Sequence, residues 1–203
     1  MVNKTEGLSP HRLEALSDGI FAFAMTLLVL NFNVPKAIKG IGSKELSDII
    51  LSQADRFESY FLSFALLAIF WLVNQQIFHH IEKTDEKHLW MNILTLMFVV
   101  FIPFSTSLVS EYPDRTSGEF FFALNIFLVS LSIQLGWIYA NWERRLVKDG
   151  SEDEHLKVSL RAGWVGPVVS ALAMAVAFIQ PHTCSYLYLL IPVILLLPWF
   201  RKP

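Results

Sequence analysis

The sequence predicts an all-α integral membrane protein with six transmembrane helices, on three observations. Only 17% of the residues are charged and 54% are hydrophobic, with a mean hydropathy of +0.47; a soluble domain carries about 25% charged residues. The apolar residues gather in six runs, at about 13–34, 57–81, 89–110, 119–142, 158–180 and 185–200, where a helix needs ~20 residues to cross the hydrocarbon layer. The ~10-residue alternating segments of a membrane β-barrel are absent. No repeat or low-complexity tract divides the chain, so residues 1–203 read as one six-helix domain.

The elements follow in order. Ser9-Pro10 places a capping hydroxyl before a proline suited to the first helical position. Pro35 is the expected end of the first span, because proline cannot continue the hydrogen-bond ladder. Leu46, Ile49 and Ile50 mark a short amphipathic helix leading into the second span. The charged link EKTDEKH (82–88) is short, so spans two and three are antiparallel neighbours. Thr116–Glu119 and Ser151–Glu154 have capping-box spacing ahead of spans four and five. Trp90, Trp137, Trp142, Trp164 and Trp199 fall near span ends, as an interfacial aromatic belt requires, whereas Trp71 lies mid-span. Pro103, Pro167 and Pro192 lie inside spans, where neighbouring helices can satisfy the freed carbonyls.

Charge sets the orientation. With the N-terminus inside, Lys4, Arg12, Lys83, Lys87, Arg144, Arg145, Lys148, Lys157, Arg161, Arg201 and Lys202 are cytoplasmic, and Lys36, Lys39, Lys44, Arg56 and Arg115 are external. Positive charge favours the inside, so both termini read as cytoplasmic and the protein as a multi-pass protein of a cell membrane. Residues 1–30 do not read as a signal peptide: Glu14 and Asp18 occupy the place of a basic leader segment. Cys184 is the only cysteine, which excludes an intrachain disulfide.

Enzymatic motifs are missing. The sequence has no phosphate-binding loop, no H-E-x-x-H and no cysteine pair. His79 and His80 point about 100° apart on a helix and are poorly placed to share a metal. No enzyme, cofactor or nucleic-acid partner is expected.

The first helix is more informative. At 100° per residue, one stripe reads Arg12, Leu16, Gly19, Phe23, Thr26/Leu27, Leu30 and Val34. Asp18 falls about 140° away from that stripe. A carboxylate inside a span costs a few kcal/mol unless it faces protein or water, so Asp18 is expected to face its own bundle. The other reading makes it an end anchor favoured by the helix dipole. Asn74, Gln75 and Gln76 in span two are its candidate partners, unless span two continues past the membrane and carries them into water.

Arg12-Leu-Glu-Ala-Leu16-Ser17-Asp18-Gly19, followed by Phe21-Ala-Phe-Ala-Met-Thr26-Leu-Leu-Val-Leu30, resembles the signature of the transmembrane protein 175 family. These are the endosomal and lysosomal potassium channels and their prokaryotic relatives. The resemblance implies a potassium-permeable channel without a TVGYG filter, a sequence this chain also lacks. It implies a prokaryotic single-repeat member that assembles as a homotetramer, with the first helix lining the pore. It places the hydrophobic constriction on Phe23, further narrow points on Leu27 and Leu30, and selectivity hydroxyls on Thr26. Potassium would pass along Phe23, Thr26, Leu27 and Leu30. It puts Arg12 and Asp18 in a structural polar network, to which Ser17, Asn74 and Gln75 are natural additions. Phe23 stands where the family usually has an aliphatic residue, Leu16 where it usually has phenylalanine, and Asn74-Gln75 near a histidine pair of many relatives.

The resulting expectation is a potassium-selective channel gated by apolar rings, with only potassium and lipid as partners besides its own copies. Arg12, at the cytoplasmic mouth, is expected to be held aside by an acid. Two rival readings are a proton- or ion-coupled secondary transporter and a non-conducting interaction subunit. Against the transporter, the sequence shows no inverted repeat and no pair of broken helices.

Overall fold

The computed structural model describes residues 9–32, 43–112, 115–148 and 153–195. Regular structure among the described residues is helical, apart from one bridge between Ile81 and Val147. Five segments are long and apolar enough to cross a bilayer: Pro10–Asn31, Ala54–His80, Glu86–Glu111, Thr116–Arg144 and Leu156–Ala177. The sixth apolar run gives a shorter helical segment, Ser185–Leu195, and residues 196–203 lie outside the described residues.

Helix α1 (Pro10–Leu27) starts with proline in its first turn. Ser9 caps with its carbonyl, which accepts the Arg12 N–H at 3.0 Å, and not with the expected hydroxyl. The helix stops earlier than Pro35, which lies outside the described residues. It tightens into a 3-10 turn over Leu28–Asn31, and Phe32 is extended. Tertiary partners hold this stop. The Asn31 carbonyl accepts from Arg56 Nη1 at 2.6 Å, and Asn31 Nδ2 donates to the Pro103 carbonyl at 3.4 Å. The Phe32 ring packs on Phe57 and Tyr60, at 4.6 and 5.4 Å between centroids.

The short α2 (Ser43–Leu51) leads through a turn into α3 (Ala54–His80). The next link is closed by Asp85, whose carboxylate accepts the His88 N–H at 2.8 Å and starts α4 (Glu86–Val100). Here the expectation of unbroken helices fails. The third span breaks at Phe101 and resumes as α5 (Ile102–Glu111), because Pro103 has no N–H to continue the ladder. The Phe101 N–H turns back to the Phe98 carbonyl at 3.1 Å. The fifth span is likewise divided, into α7 (Asp153–Ala162) and α8 (Val165–Ala177), at Gly163-Trp164.

Helix α6 (Thr116–Asn141) is the centre of the bundle and packs on α8, α4 and α5. The expected Thr116–Glu119 capping box does not form. Arg115 holds the cap position, and Glu119 is buried, accepting from Cys184 Sγ at 3.1 Å and Ser185 Oγ at 3.0 Å. Ser151 of the second candidate box lies outside the described residues. Two glycines let the fifth span approach α6. A Cβ on Gly163 would lie 1.8 Å from Gln134 Oε1, and one on Gly166 would lie 2.8 Å from Ser130 Cβ. Small residues at such crossings let backbones meet in lipid, where van der Waals packing replaces the hydrophobic drive. The chain continues through α9 (Pro181–Cys184), a 3-10 turn (Ser185–Leu189) and α10 (Leu190–Leu195).

The tryptophans divide. Trp90, Trp142 and Trp164 are exposed, whereas Trp137 is a core residue at 2% exposure, with its ring 6.0 Å from His80. Trp137 therefore leaves the expected belt, since its position on α6 faces the bundle. Trp199 lies outside the described residues.

Candidate functional site

Helix α1 packs on α3 and α4 with one face only. Leu13, Ser17, Phe21, Ala24 and Leu28 form that face, none more than 3% exposed. The opposite face carries Arg12, Leu16, Gly19, Phe23, Thr26 and Leu30, all exposed, with Phe23 at 56% and Leu30 at 71%. Leu27 is half-buried beside it. Val34 is outside the described residues. The exposed face is therefore apolar, with one glycine and one hydroxyl along its membrane-spanning length. A Cβ at Gly19 would meet nothing within 4 Å. Thr26 donates its hydroxyl proton to the Phe23 carbonyl at 2.8 Å, so its oxygen lone pairs are left to face outward.

Polar anchors hold the buried face. Asp18 is half-buried, and its Oδ1 accepts from Trp71 Nε1 at 2.9 Å and from Gln75 Nε2. The single hydroxyl proton of Ser17 is shared between the Leu13 carbonyl, at 2.9 Å, and Asn92 Oδ1 on α4, at 3.2 Å. The structure thus joins Asp18 to Gln75, and Ser17 to α4. Asn74 is buried but bonds to neither, and Gln76 is exposed. Arg12 sits on the exposed face, and no acid among the described residues pairs with it.

Trp71 and Asn92 were not among the residues assigned to the anchor. A signal for Trp71 existed: a tryptophan away from the interface needs a partner for its indole N–H. Asn92 had none, because a lone amide in an apolar run does not say which helix it faces.

Below the anchors, the ends of α3 and α6 are clasped. Glu82 N–H donates to the Leu146 carbonyl at 2.9 Å, and Lys148 N–H to the His80 carbonyl at 3.0 Å. Glu143 and Arg144 adopt left-handed φ values of 55° and 50°, which turn the chain back into this pairing. Tyr139 donates to Asp85 Oδ2 at 2.6 Å, and Arg145 lies 5.6 Å from the Tyr139 ring centroid. Burial pushes the Asp85 carboxyl up. The hydrogen bonds from Tyr139 and the His88 N–H, with the charge of Arg145, outweigh it and hold the carboxyl below its usual range.

Against this geometry, known proteins can be compared. The family described as "Endosomal/lysosomal potassium channel TMEM175" matches residues 12–103, from Arg12 through the break at Pro103. A potassium channel of Chamaesiphon minutus is 30% identical over 185 residues, covering 89% of this chain and 90% of its own length. The chain belongs to the TMEM175 family. A potassium channel of Streptomyces collinus is 34% identical over 130 residues, 62% of either chain. The crystal structure of a lysosomal potassium-selective TMEM175 homologue from Chamaesiphon minutus superposes with a TM-score of 0.78 at 28% identity, covering 91% of this chain and 97% of that one. The human endosomal/lysosomal proton channel TMEM175 is 34% identical over 119 residues, and the chain aligns with 24% of its length. The protein is a multi-pass TMEM175 membrane protein whose homologues are ion channels and not enzymes.

Proposed function

We propose that the protein is a potassium-selective cation channel, built as a homotetramer in which four exposed α1 faces surround the ion path. The carrying observation is the division of α1. One face is sealed into its own bundle, while the other exposes Leu16, Gly19, Phe23, Thr26 and Leu30, with no helix among the described residues packed over it. Four such faces close a conduit without an extra element. The chain also spans nearly the full length of the Chamaesiphon channel, as a single-repeat subunit would.

Rings of Phe23, Leu27 and Leu30 would gate by narrowing and dewetting. Phe23 and Leu27 are separated along the axis by about 6 Å, at 1.5 Å per α-helical residue, and Leu30 follows in the 3-10 turn. Selectivity would come from partial dehydration at these rings, with Thr26 oxygens replacing some lost water. Potassium sheds water more cheaply than sodium, which gives a preference of the right sign. Arg12 at the mouth is an exposed cation, and its charge would have to be screened or turned away in the assembly. Basic residues at the clasped end, Lys83, Lys87, Arg144, Arg145 and Lys148 among them, support a reading in which both termini are cytoplasmic in a prokaryotic cell.

The breaks at Phe101 and Gly163 favour a second reading, a secondary transporter, since interrupted helices form ion sites in that class. The polar side chains at these breaks argue against it. Asn31 bonds at Pro103, and Gln134 Nε2 donates to the Leu160 carbonyl at 2.9 Å. Both are uncharged amides, and neither supplies a coupling carboxylate.

Cysteine accessibility tests the channel reading. The native Cys184 is buried and its thiol is pushed up to about 12, by burial first and Glu119 second, so the background is unreactive. Potassium flux through liposomes carrying Thr26→Cys should be blocked by a water-soluble thiosulfonate. Ala24→Cys, on the buried face, should stay insensitive. Native mass spectrometry should find four copies; a conducting monomer or dimer would refute the tetramer.

A further inference from the structure

Behind α1, the helices α3, α4 and α6 line a small pocket with about 20 Å³ of water-sized space, bordered by Asn74, His88, Asn92, Thr95, Ser132 and Trp137 among apolar neighbours. Three of these residues turn polar atoms away from every protein partner: Asn74 Nδ2, His88 Nδ1 and Trp137 Nε1. All three side chains are buried, at 4%, 3% and 2% exposure. Buried polar atoms in folded proteins are paired in the great majority of cases. Three orphans sharing one cavity therefore point to a common partner. The volume exceeds the ~10–15 Å³ that a single water requires, and two to four polar partners are what a buried water uses.

We infer that this cavity is a built site for one water molecule. The Asn74 and Trp137 N–H groups donate to its two lone pairs, and the water donates to His88 Nδ1. Chemistry sets the ligand class. Two unpaired N–H donors on the lining residues disfavour a cation, and the water-sized space suits a single water. With both lone pairs of the water taken, the third group must accept, which makes His88 neutral, with its proton on Nε2 and its Nδ1 free to accept. Trp71 shows the contrast, since its indole N–H is served directly by Asp18.

The site reaches α1 through one side chain. Asn92 lines the cavity, and its Oδ1 is the acceptor for Ser17. The water therefore joins α3, α4 and α6 directly behind the contact that holds the first helix. Its presence follows from bundle packing, whatever the protein conducts.

Proton-detected solid-state NMR on the full chain in lipid bilayers, with labelled tryptophan and histidine, tests this. Magnetisation should pass from water to the Trp137 indole proton despite its burial. The His88 Nδ1 resonance should be that of an unprotonated nitrogen, and Nε2 that of a protonated one. In Asn74→Leu, which removes one donor and fills space, the water transfer to Trp137 should fall to background. A wild-type spectrum with no transfer to Trp137, or with the proton on His88 Nδ1, overturns the assignment. So does undiminished transfer in a folded Asn74→Leu protein. Should that variant not fold, the two wild-type signatures decide the matter alone.

Discussion

The two faces of α1 are made from the same kinds of residue and do opposite things. Leu13, Phe21 and Leu28 are buried, while Leu16, Phe23 and Leu30 are exposed, so hydrophobicity alone does not tell the faces apart. The polar residues do. Ser17 and Asp18 are tied to α4 and α3, whereas Thr26 spends its proton on its own helix and bonds to no other. In lipid, apolar contact brings packing without the hydrophobic gain available in water. Interhelical hydrogen bonds therefore carry unusual weight in choosing which face a helix turns inward. A substitution on the buried face should change stability, and one on the exposed face should change transport.

The largest expected effect comes from Asp18→Ala, which strips the acceptor from Trp71 and Gln75 together. Charge-assisted hydrogen bonds and the donors left behind amount to about 2–4 kcal/mol. Thermal unfolding in detergent should drop accordingly, and assembly should be impaired. An unchanged melting temperature would remove Asp18 as the anchor.

Next in size is the frame that the buried face leans on. Gly166→Ala sets a methyl against the Ser130 Cβ, a short rigid contact that must shift. Overpacking of this kind costs about 1–3 kcal/mol. It should lower stability while leaving the potassium-to-sodium ratio of surviving channels as in the parent, measured in the same liposomes. A changed ratio would mean that the α6–α8 contact shapes the ion path.

A smaller effect is expected at the clasp. Tyr139→Phe removes the hydrogen bond to Asp85, worth about 1 kcal/mol at a half-exposed site. Because the folded-state Asp85 carboxyl titrates below its usual 3.8, its contribution is complete above that pH. It is lost as the pH falls through the lower folded value. The difference between Tyr139→Phe and parent should therefore be constant near neutral pH and shrink below about pH 4. A difference that grows on acidification would show the sign to be wrong.

On the exposed face, Thr26→Val should leave unfolding within about 0.5 kcal/mol of the parent, as surface changes do. It should lower the preference for potassium over sodium. Stability loss without any change in selectivity would place Thr26 with the buried residues.

Much of this contrast was legible from the sequence, and the reasons for the rest are physical. Helical angle alone turned Asp18 away from Phe23, and the cost of a carboxylate in lipid implied a bond to another helix. The amides of span two were visible as partners, but only Gln75 takes the role. Asn74, the residue before it, points about 100° further round the helix and into the cavity near His88. Pro103 lies inside a span expected to be continuous, yet it divides the helix, because it has no N–H for the Val99 carbonyl, which the Phe101 N–H serves together with the Phe98 carbonyl. Trp137 looked like a belt residue by position, and the direction in which α6 faces was not readable from position. Pairing of spans, clasp and cavity all depend on contacts far apart in sequence, where periodicity carries no information.

Phe23 is where the account is most exposed to refutation. Potassium and sodium flux should be measured through purified protein in liposomes, for the parent and for Phe23→Ala, with the melting temperature of each recorded. The parent should pass potassium in preference to sodium, and removing the ring should raise flux several-fold and weaken the preference while the melting temperature stays put. Flux and selectivity identical to the parent in a folded Phe23→Ala protein would show that Phe23 is not the constriction and contradict the account at its central residue.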